Sequence, residues 1–419
     1  MKTTVKWVVA LLYMLLPAAA FPQLTLPTVG PALQLPDPAL GDISDSLIDP
    51  VSGMVNVRVL ERLSRSELRS VLNRLRIDRL DRNGDPAVRG VLIVTGISGA
   101  SLERAQKEGF QILERTEIEG LDLNYVKFAT RPDKSLKSEQ KQLQNLAREA
   151  EVSADNIYFT SGTTPPATNA ALLVNSKVRS GAMGLIDGGV ARHRAITMPV
   201  EQRGFAKGAP VASSHGTAIA SLISGSLNPD TRGLLAADIY GSDPAGGNAT
   251  AIARALGWMA QRNVPIVAIS LVGPDNGLLG RAIKAAQQKG ILIVAAVGND
   301  GPAAPPRYPA AYKGVIGVTG VDLRERALPE AGIATPVDFA APGAGIKGAS
   351  PDGKLVGLRG TSFAAPLVAA RLLSYYPTAN ISQIEAAVNG LIREAKDLGK
   401  KGPDKIYGNG LVCGQCGLR

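Results

Sequence analysis

The chain has 419 residues, 45% apolar and 20% charged, which suffices for sizeable cores over about two or three domains and excludes a wholly disordered or fibrous protein. Aromatic residues make up only 4%, whereas glycine (46) and proline (28) abound, so small-residue packing and many turns are expected. The net charge of +10 sits in the second half: residues 1–175 hold 20 Lys/Arg against 20 Asp/Glu, and residues 176–419 hold 26 against 16. That excess reads as solvated surface charge, with no nucleic-acid partner expected.

Residues 1–20 read as a signal peptide. Lys2 and Lys6 form the charged region, Val8–Leu16 the apolar region, and Ala18-Ala19-Ala20 a cleavage site. The apolar run is shorter than the about 20 residues of a membrane span, so the mature form is expected not to span a membrane and to be exported, to the periplasm or beyond. Residues 21–55, with six prolines from Pro22 to Pro50, read as an extended linker. Residues 56–88 form an Arg-rich helical segment: Ser64-Arg65-Ser66-Glu67 is a capping box, and Leu68, Val71, Leu72 and Leu75 share one helix face. Asp81-Arg82-Asn83-Gly84-Asp85 places its glycine wrongly for a calcium loop and reads as a turn.

Residues 89–160 follow the order β-α-β-β-α-β, the ferredoxin-like arrangement. Its strands are expected at Gly90–Thr95, Phe110–Glu117, Leu123–Thr130 and Asn156–Thr160, and its helices at Ser101–Glu108 and Ser138–Glu149. Residues 161–176 look like an exposed connector. Over residues 177–400 the rhythm becomes βαβ, with strands at Met183–Ile186, Ala237–Tyr240, Val264–Leu271, Ile291–Val297 and Val315–Val321. The helices are expected at His215–Ser224, Thr250–Gln261, Leu279–Lys289 and Ser362–Tyr375. Continuous apolar strands of this kind belong to a parallel sheet covered by helices on both faces. Residues 401–419 read as a C-terminal tail. It carries the two cysteines, Cys413 and Cys416, as a disulfide or as two free thiols; zinc would need a second such pair or histidines at ligand spacing.

Four polar residues interrupt the apolar pattern where an α/β sheet places its site. Asp187 ends a strand, His215 opens a helix, Asn299 follows ILIVAAVG, and Ser362 opens another helix. A serine hydroxyl needs an adjacent base to attack a carbonyl, and a neutral imidazole serves. A buried carboxylate fixes the imidazole tautomer, and an asparagine amide can join a backbone N–H in holding the oxyanion. Singly, each residue is explained as a cap or turn former; jointly they specify acyl transfer. His193, in the loop after Asp187, is the only rival base.

Here the sequence resembles the subtilisin-like serine peptidases. The order Asp…His…Ser matches, and LIDGGV, SSHGTAIASLISG, VAISLVGP, LIVAAVGNDGP, YPAAYKGVIGVTGVD, DFAAPG and GTSFAAPLVAA resemble the family's blocks in order, from about Met183 to Tyr376. The resemblance implies a triad of Asp187, His215 and Ser362 with Asn299 as oxyanion donor. It implies a substrate cleft lined by Ser270, Leu271, Val272 and Gly273 and by Ala296, Val297 and Gly298, where an extended peptide adds as a strand. It also implies that residues 89–160 are an inhibitory propeptide whose tail occupies the active site, with a maturation site in the connector. Polypeptides are the implied substrates and the chain's own propeptide a partner. No cofactor is expected, and no dedicated calcium loop is evident. The sequence departs from the family at Asp-Gly-Gly, at Ala218 where a second histidine is usual, and at Val272 where glycine is usual. The competing reading is a catalytically idle fold of this family used for binding or as a scaffold; a hydrolase of esters or small amides lacks its G-x-S-x-G signature around Ser362.

Overall fold

The computed structural model describes residues 79–81, 83–162, 171–226, 233–243 and 246–416. The signal-like segment, the proline-rich linker and the helix expected around Leu68–Leu75 lie outside these residues.

Arg79–Leu80 (β1) and Pro86–Thr95 (β2) pair antiparallel around a turn in which the Asp81 carboxylate accepts the N–H groups of Asn83 and Asp85 at 2.7 and 3.0 Å. Gly99–Lys107 (α1), Gln111–Ile118 (β3), Leu123–Ala129 (β4), Leu136–Leu146 (α2) and Glu151–Asn156 (β5) follow. Ser98 and Ser135 start the two helices by accepting the N–H groups of Ser101 and Ser138. The sheet runs β3-β4-β2-β5, antiparallel throughout, which is the ferredoxin-like order. Several boundaries differ from expectation: the end of the segment 56–88, read as helical, is strand at Arg79–Leu80 and from Pro86 onward, because these residues pair with each other across the Asp81 turn and so extend the sheet. The second helix stops at Leu146, and the last strand occupies 151–156 instead of 156–160. Glu151-Val-Ser-Ala-Asp-Asn156 is poor in strand formers, yet pairing of Ala154 with Leu92 on the central strand overrides local preference. Ile157-Tyr-Phe-Thr160 is extended as read, but Phe159–Thr160 (β6) pairs elsewhere.

The second part is built on seven parallel strands: Met183–Asp187 (β7), Val200–Gly204 (β8), Leu234–Asp238 (β9), Ile266–Ile269 (β10), Leu292–Ala296 (β12), Ile316–Val321 (β13) and Phe339–Pro342 (β14). Their order is β14-β13-β12-β10-β7-β9-β8. Leu271–Val272 (β11) leaves this sheet directly after β10, and Ala344–Ala349 (β15) with Leu355–Arg359 (β16) forms a hairpin. Ser214–Ser226 (α3) and Thr361–Leu373 (α6) share one core with Leu185, Ala236, Ala268 and Val294. Ala249–Gln261 (α4) and Gly277–Gln288 (α5) share the other with Ile186, Ala237, Ile269 and Ala295. Neighbouring strand residues thus face opposite helical layers, which is why the strands read as unbroken apolar runs. Ile384–Glu394 (α7) follows, and Lys396 and Ala340 both bridge to Leu411, so residues up to Val412 pack on the sheet. Cys413 and Cys416 form a disulfide.

The two parts meet through α4 and α5. Ile93, Ile118 and Tyr125 of the N-terminal sheet, with Leu121 of the turn between β3 and β4, enter the α4–α5 core. Strand β5 supplies acceptors to both helix starts: the Asp155 carboxylate takes the Thr250 N–H at 3.0 Å and its hydroxyl at 2.6 Å, and Ser153 Oγ takes the Gly277 N–H at 3.2 Å. Unpaired N–H groups and the positive end of each helix favour acceptors there, and an anion most.

Candidate active site

The chain builds β8 and β9 on one side of β7, then crosses to add β10, β12, β13 and β14 on the other. Ligands of such sheets bind outside the carboxyl ends at this reversal, between β7 and β10. Asp187 ends β7, and Ser270 follows β10.

His215 stands second in α3 and Ser362 second in α6, so both helix starts aim into the same crevice. His215 Nδ1 lies 2.9 and 3.0 Å from the two Asp187 carboxylate oxygens, and its Nε2 lies 3.0 Å from Ser362 Oγ. All three side chains are buried. Close packing of glycine makes this approach: a Cβ on Gly188 would meet Ser213 Cβ at 2.7 Å, and one on Gly216 would meet the Gly188 carbonyl carbon at 2.8 Å. The sequence Asp-Gly-Gly therefore suits the tight entry to α3. Asp238, the register partner of Asp187, was not singled out by sequence; its carboxylate accepts the N–H of Val211 at 2.7 Å and those of Tyr240 and Gly241 at 2.9 and 3.0 Å. Burial raises its carboxyl above the ordinary range, opposed by those three donors, while the Asp187 charge adds to the rise. It ties the loop that leads into His215 to the sheet.

Asn299 sits on the loop after β12. Its Oδ1 accepts the Thr361 N–H at 3.0 Å, and Thr361 Oγ1 accepts the Gly298 N–H at 3.2 Å, which locks the loop to the start of α6. Gly298 has φ +101°, a region only glycine enters freely.

Residues 157–162 occupy the crevice. Phe159 and Thr160 pair antiparallel with Val272 and Leu271, and the Ser161 N–H donates to the Ser270 carbonyl at 3.2 Å. On the other edge the Tyr158 N–H donates to the Gly247 carbonyl at 2.8 Å. The Ser161 carbonyl oxygen accepts the Ser362 N–H at 3.2 Å and the Asn299 side-chain amide. The next residue, Gly162, lies against Ser362 Oγ and the Phe363 ring: a Cβ there would stand 2.8 Å from Phe363 Cε2. Of the expected cleft residues, Ser270, Leu271 and Val272 thus touch the extended segment, and Gly273 packs beneath the Tyr158 ring. Ala296, Val297 and Gly298 form a separate wall held by its own bonds, Val297 N–H to Val318 and Gly332 N–H to Gly298. Sequence reading missed Ser161, Thr361 and Gly247. Only the expectation that a propeptide tail fills the site pointed toward the first. His193 is buried away from this cluster's bonds, its Nδ1 accepting the Ala195 N–H at 3.0 Å.

Among the described residues, no group of three or more His, Cys, Asp or Glu could hold a metal ion, and no helix is long and apolar enough to cross a membrane.

Comparison with known proteins gives the following. The model of the subtilase family matches residues 203–410, which include His215, Asn299 and Ser362. Subtilisin DY of Bacillus licheniformis is 30% identical over 248 residues, covering 55% of this chain and 88% of its own. The thermostable alkaline protease of Halalkalibacterium halodurans is 28% identical over 350 residues, 75% of this chain and 92% of its own. Among solved structures, fervidolysin of Fervidobacterium pennivorans, described as a keratinolytic enzyme related to subtilisin, has a TM-score of 0.60 at 18% identity over 79% of this chain and 61% of its own. The epidermin leader peptide processing serine protease of Staphylococcus aureus has a TM-score of 0.55 at 15% identity, over 78% of this chain and 97% of its own.

Proposed function

The chain belongs to the subtilase family and is a serine endopeptidase, and on that premise we propose that it is an exported zymogen that cuts its own chain between Ser161 and Gly162. In this reading Ser362 Oγ attacks the Ser161 carbonyl carbon while His215 Nε2 takes its proton. Asp187 holds the imidazole tautomer and balances the imidazolium. The Ser362 N–H and the Asn299 amide hold the oxyanion as the carbonyl becomes tetrahedral. Collapse breaks the Ser161–Gly162 bond, and His215 returns the proton to the Gly162 amine. Water, deprotonated by the same imidazole, then releases Ser161 as a carboxylate.

The observation that carries the proposal is the Ser161 carbonyl, which meets the Ser362 N–H at 3.2 Å and the Asn299 amide while His215 Nε2 lies 3.0 Å from Ser362 Oγ. An idle binding fold has no need of these groups around one carbonyl. Strand β5, tied to both α4 and α5, supports residues 89–160 as the propeptide, which delivers its tail to the cleft and stays there as inhibitor. Export rests on the charged, apolar and Ala-rich order of residues 1–20. N-terminal sequencing of protein from the unaltered chain and from Ser362→Ala tests the proposal. A new N-terminus at Gly162, missing from Ser362→Ala in a protease-free preparation, is expected; normal maturation of the variant would overturn it.

A further inference from the structure

Asp238 is a fully buried acid on the strand next to Asp187, and the proton transfers of the triad do not involve it. One of its oxygens takes the Val211 N–H at 2.7 Å, and the other takes the N–H groups of Tyr240 and Gly241 at 2.9 and 3.0 Å. Its backbone is fixed by the sheet edge, the Asp238 carbonyl accepting the Phe205 N–H at 2.8 Å. The Val211 bond reaches the loop from which α3 starts. That loop lies on the turn after Asp187: Ala212 bridges Gly189, and the Ser213 N–H donates to the Gly189 carbonyl at 2.8 Å. The approach is close, since a Cβ on Gly189 would stand 2.8 Å from the Val211 carbonyl carbon. Ser213 then starts α3, its Oγ accepting the Gly216 N–H at 2.9 Å and its carbonyl the Thr217 N–H at 3.1 Å. His215 thus stands two residues beyond a loop held by Asp238 on one side and by Gly189 on the other.

We propose that Asp238 is a positioning residue of the peptidase reaction: its carboxylate holds the loop Val211–Ser213 against the Asp187 turn and so aims the His215 imidazole at Ser362 Oγ. The inference rests on the assignment of His215 as the base and adds what sets its place. Three converging N–H donors call for a side chain that only accepts. An asparagine would turn its own N–H toward one of them, and an alkyl chain would leave all three unpaired. Burial and the like charge of Asp187 both oppose ionisation, so the three donors are what favour the charge there. An apolar residue would end a buried strand at less cost, so the benefit of the carboxylate lies in the loop it holds. The reach of that hold is one-sided. It acts on the start of α3, whereas Leu271, Val272 and Asn299, which meet the extended segment, stand on β11 and on the loop after β12. Loss of the carboxylate should therefore fall on the chemical step and spare substrate binding.

The test follows self-cleavage of the full chain refolded from urea, and then the matured enzyme on a quenched fluorogenic peptide of residues 156–164. Asp238→Asn keeps the size of the side chain and removes its charge. It should slow self-cleavage about 10- to 100-fold and lower kcat per titrated active site by a similar factor, with KM within about threefold. Reaction with diisopropyl fluorophosphate, in which Ser362 Oγ bonds to phosphorus, fluoride leaves and His215 takes the proton, should slow in parallel, because it depends on the base and little on the cleft. A kcat within threefold of the unaltered enzyme, a raised KM at unchanged kcat, or a lower kcat at an unchanged rate of phosphorylation would each overturn the inference. His215→Ala separates it from the assignment on which it rests. A His215→Ala chain that stays uncut beside a normal rate in Asp238→Asn would overturn the role of Asp238 alone, whereas a His215→Ala chain that cuts itself would overturn both. Where Asp238→Asn yields no folded chain, Ser213→Ala decides by the same split between kcat and KM, since it opens the start of α3 and leaves β9 as it is.

Discussion

Val272 stands where the family usually has glycine, and Val272→Gly should widen what the enzyme accepts just before the cleaved bond. The side chain is buried, and its Cγ1 lies 3.5 Å from where a Cβ on Gly298 would be, beside Arg307 Cγ at 3.3 Å. It therefore faces the opposite wall of the cleft and does not point away from it. The residue now in place is small: Ser161 Oγ lies 3.5 Å from Thr361 Oγ1, which also takes the Gly298 N–H. A β-branched side chain has few rotamers and cannot swing aside for a ring. Replacing it by glycine removes three carbons. Space for two to three buried methylene equivalents at ~0.8 kcal/mol each gives ~2 kcal/mol, or about 30-fold. Looser backbone costs of about 0.5–1 kcal/mol fall on every substrate alike and cancel in a ratio. The assay compares kcat/KM for paired peptides with Phe or Ala before the cleaved bond, for the unaltered enzyme and the variant. The Phe/Ala ratio should rise about 10- to 30-fold. A ratio unchanged within threefold would mean that Val272 only packs, and the steric account would fall.

Asn299→Ala should lower kcat by about 10²–10³ with less effect on KM, as loss of one oxyanion donor does in a subtilisin; unchanged kinetics would place the oxyanion donor elsewhere. His215→Ala should leave the precursor uncut, whereas His193→Ala should keep most activity, because His193 bonds only within its own loop; the reverse result would overturn the assignment of the base. Asp155→Ala removes a buried acceptor from two Thr250 donors and from Lys127 at 3.5 Å, and should lower the stability of the uncleaved Ser362→Ala chain by ~3 kcal/mol. An unchanged urea midpoint would show that docking of the two parts does not rest on that helix cap.

Much of the fold was legible because buried parallel strands leave an unmistakable trace: Leu292–Ala296 and Ile316–Val321 face helices on both sides and must be apolar throughout. The elements that escaped notice lack that trace. Val200–Gly204 is an edge strand whose Glu201 and Arg203 reach outward, and Phe339–Pro342 is four residues ending in proline, at the opposite edge. Val264–Leu271 read as one strand because Ser270 is its only polar residue. In fact Ser270 breaks it, and Leu271–Val272 turns to pair with Phe159–Thr160.

The candidate site separates along the same physical line. Asp187, His215, Asn299 and Ser362 stood out because each is a polar residue at the end of an apolar strand or the start of a buried helix, where core packing alone would not put it. What fills the cleft did not stand out, because an extended segment is recognised mainly through its backbone. The N–H groups of Tyr158 and Ser161 and the carbonyl of Ser161 make their bonds whatever the side chains. Only the side chains at two points carry information, a buried phenol at Tyr158 and the lack of a Cβ at Gly162. Both residues are unremarkable in a sequence in which glycine is abundant and tyrosine is a common strand former. Their significance depends on a distant carbonyl at Pro274 and a distant ring at Phe363, contacts that join segments more than a hundred residues apart. Catalytic chemistry is written into residue type and local position, whereas selectivity is written into which remote backbone a substrate side chain meets, and that information exists only once the chain has folded.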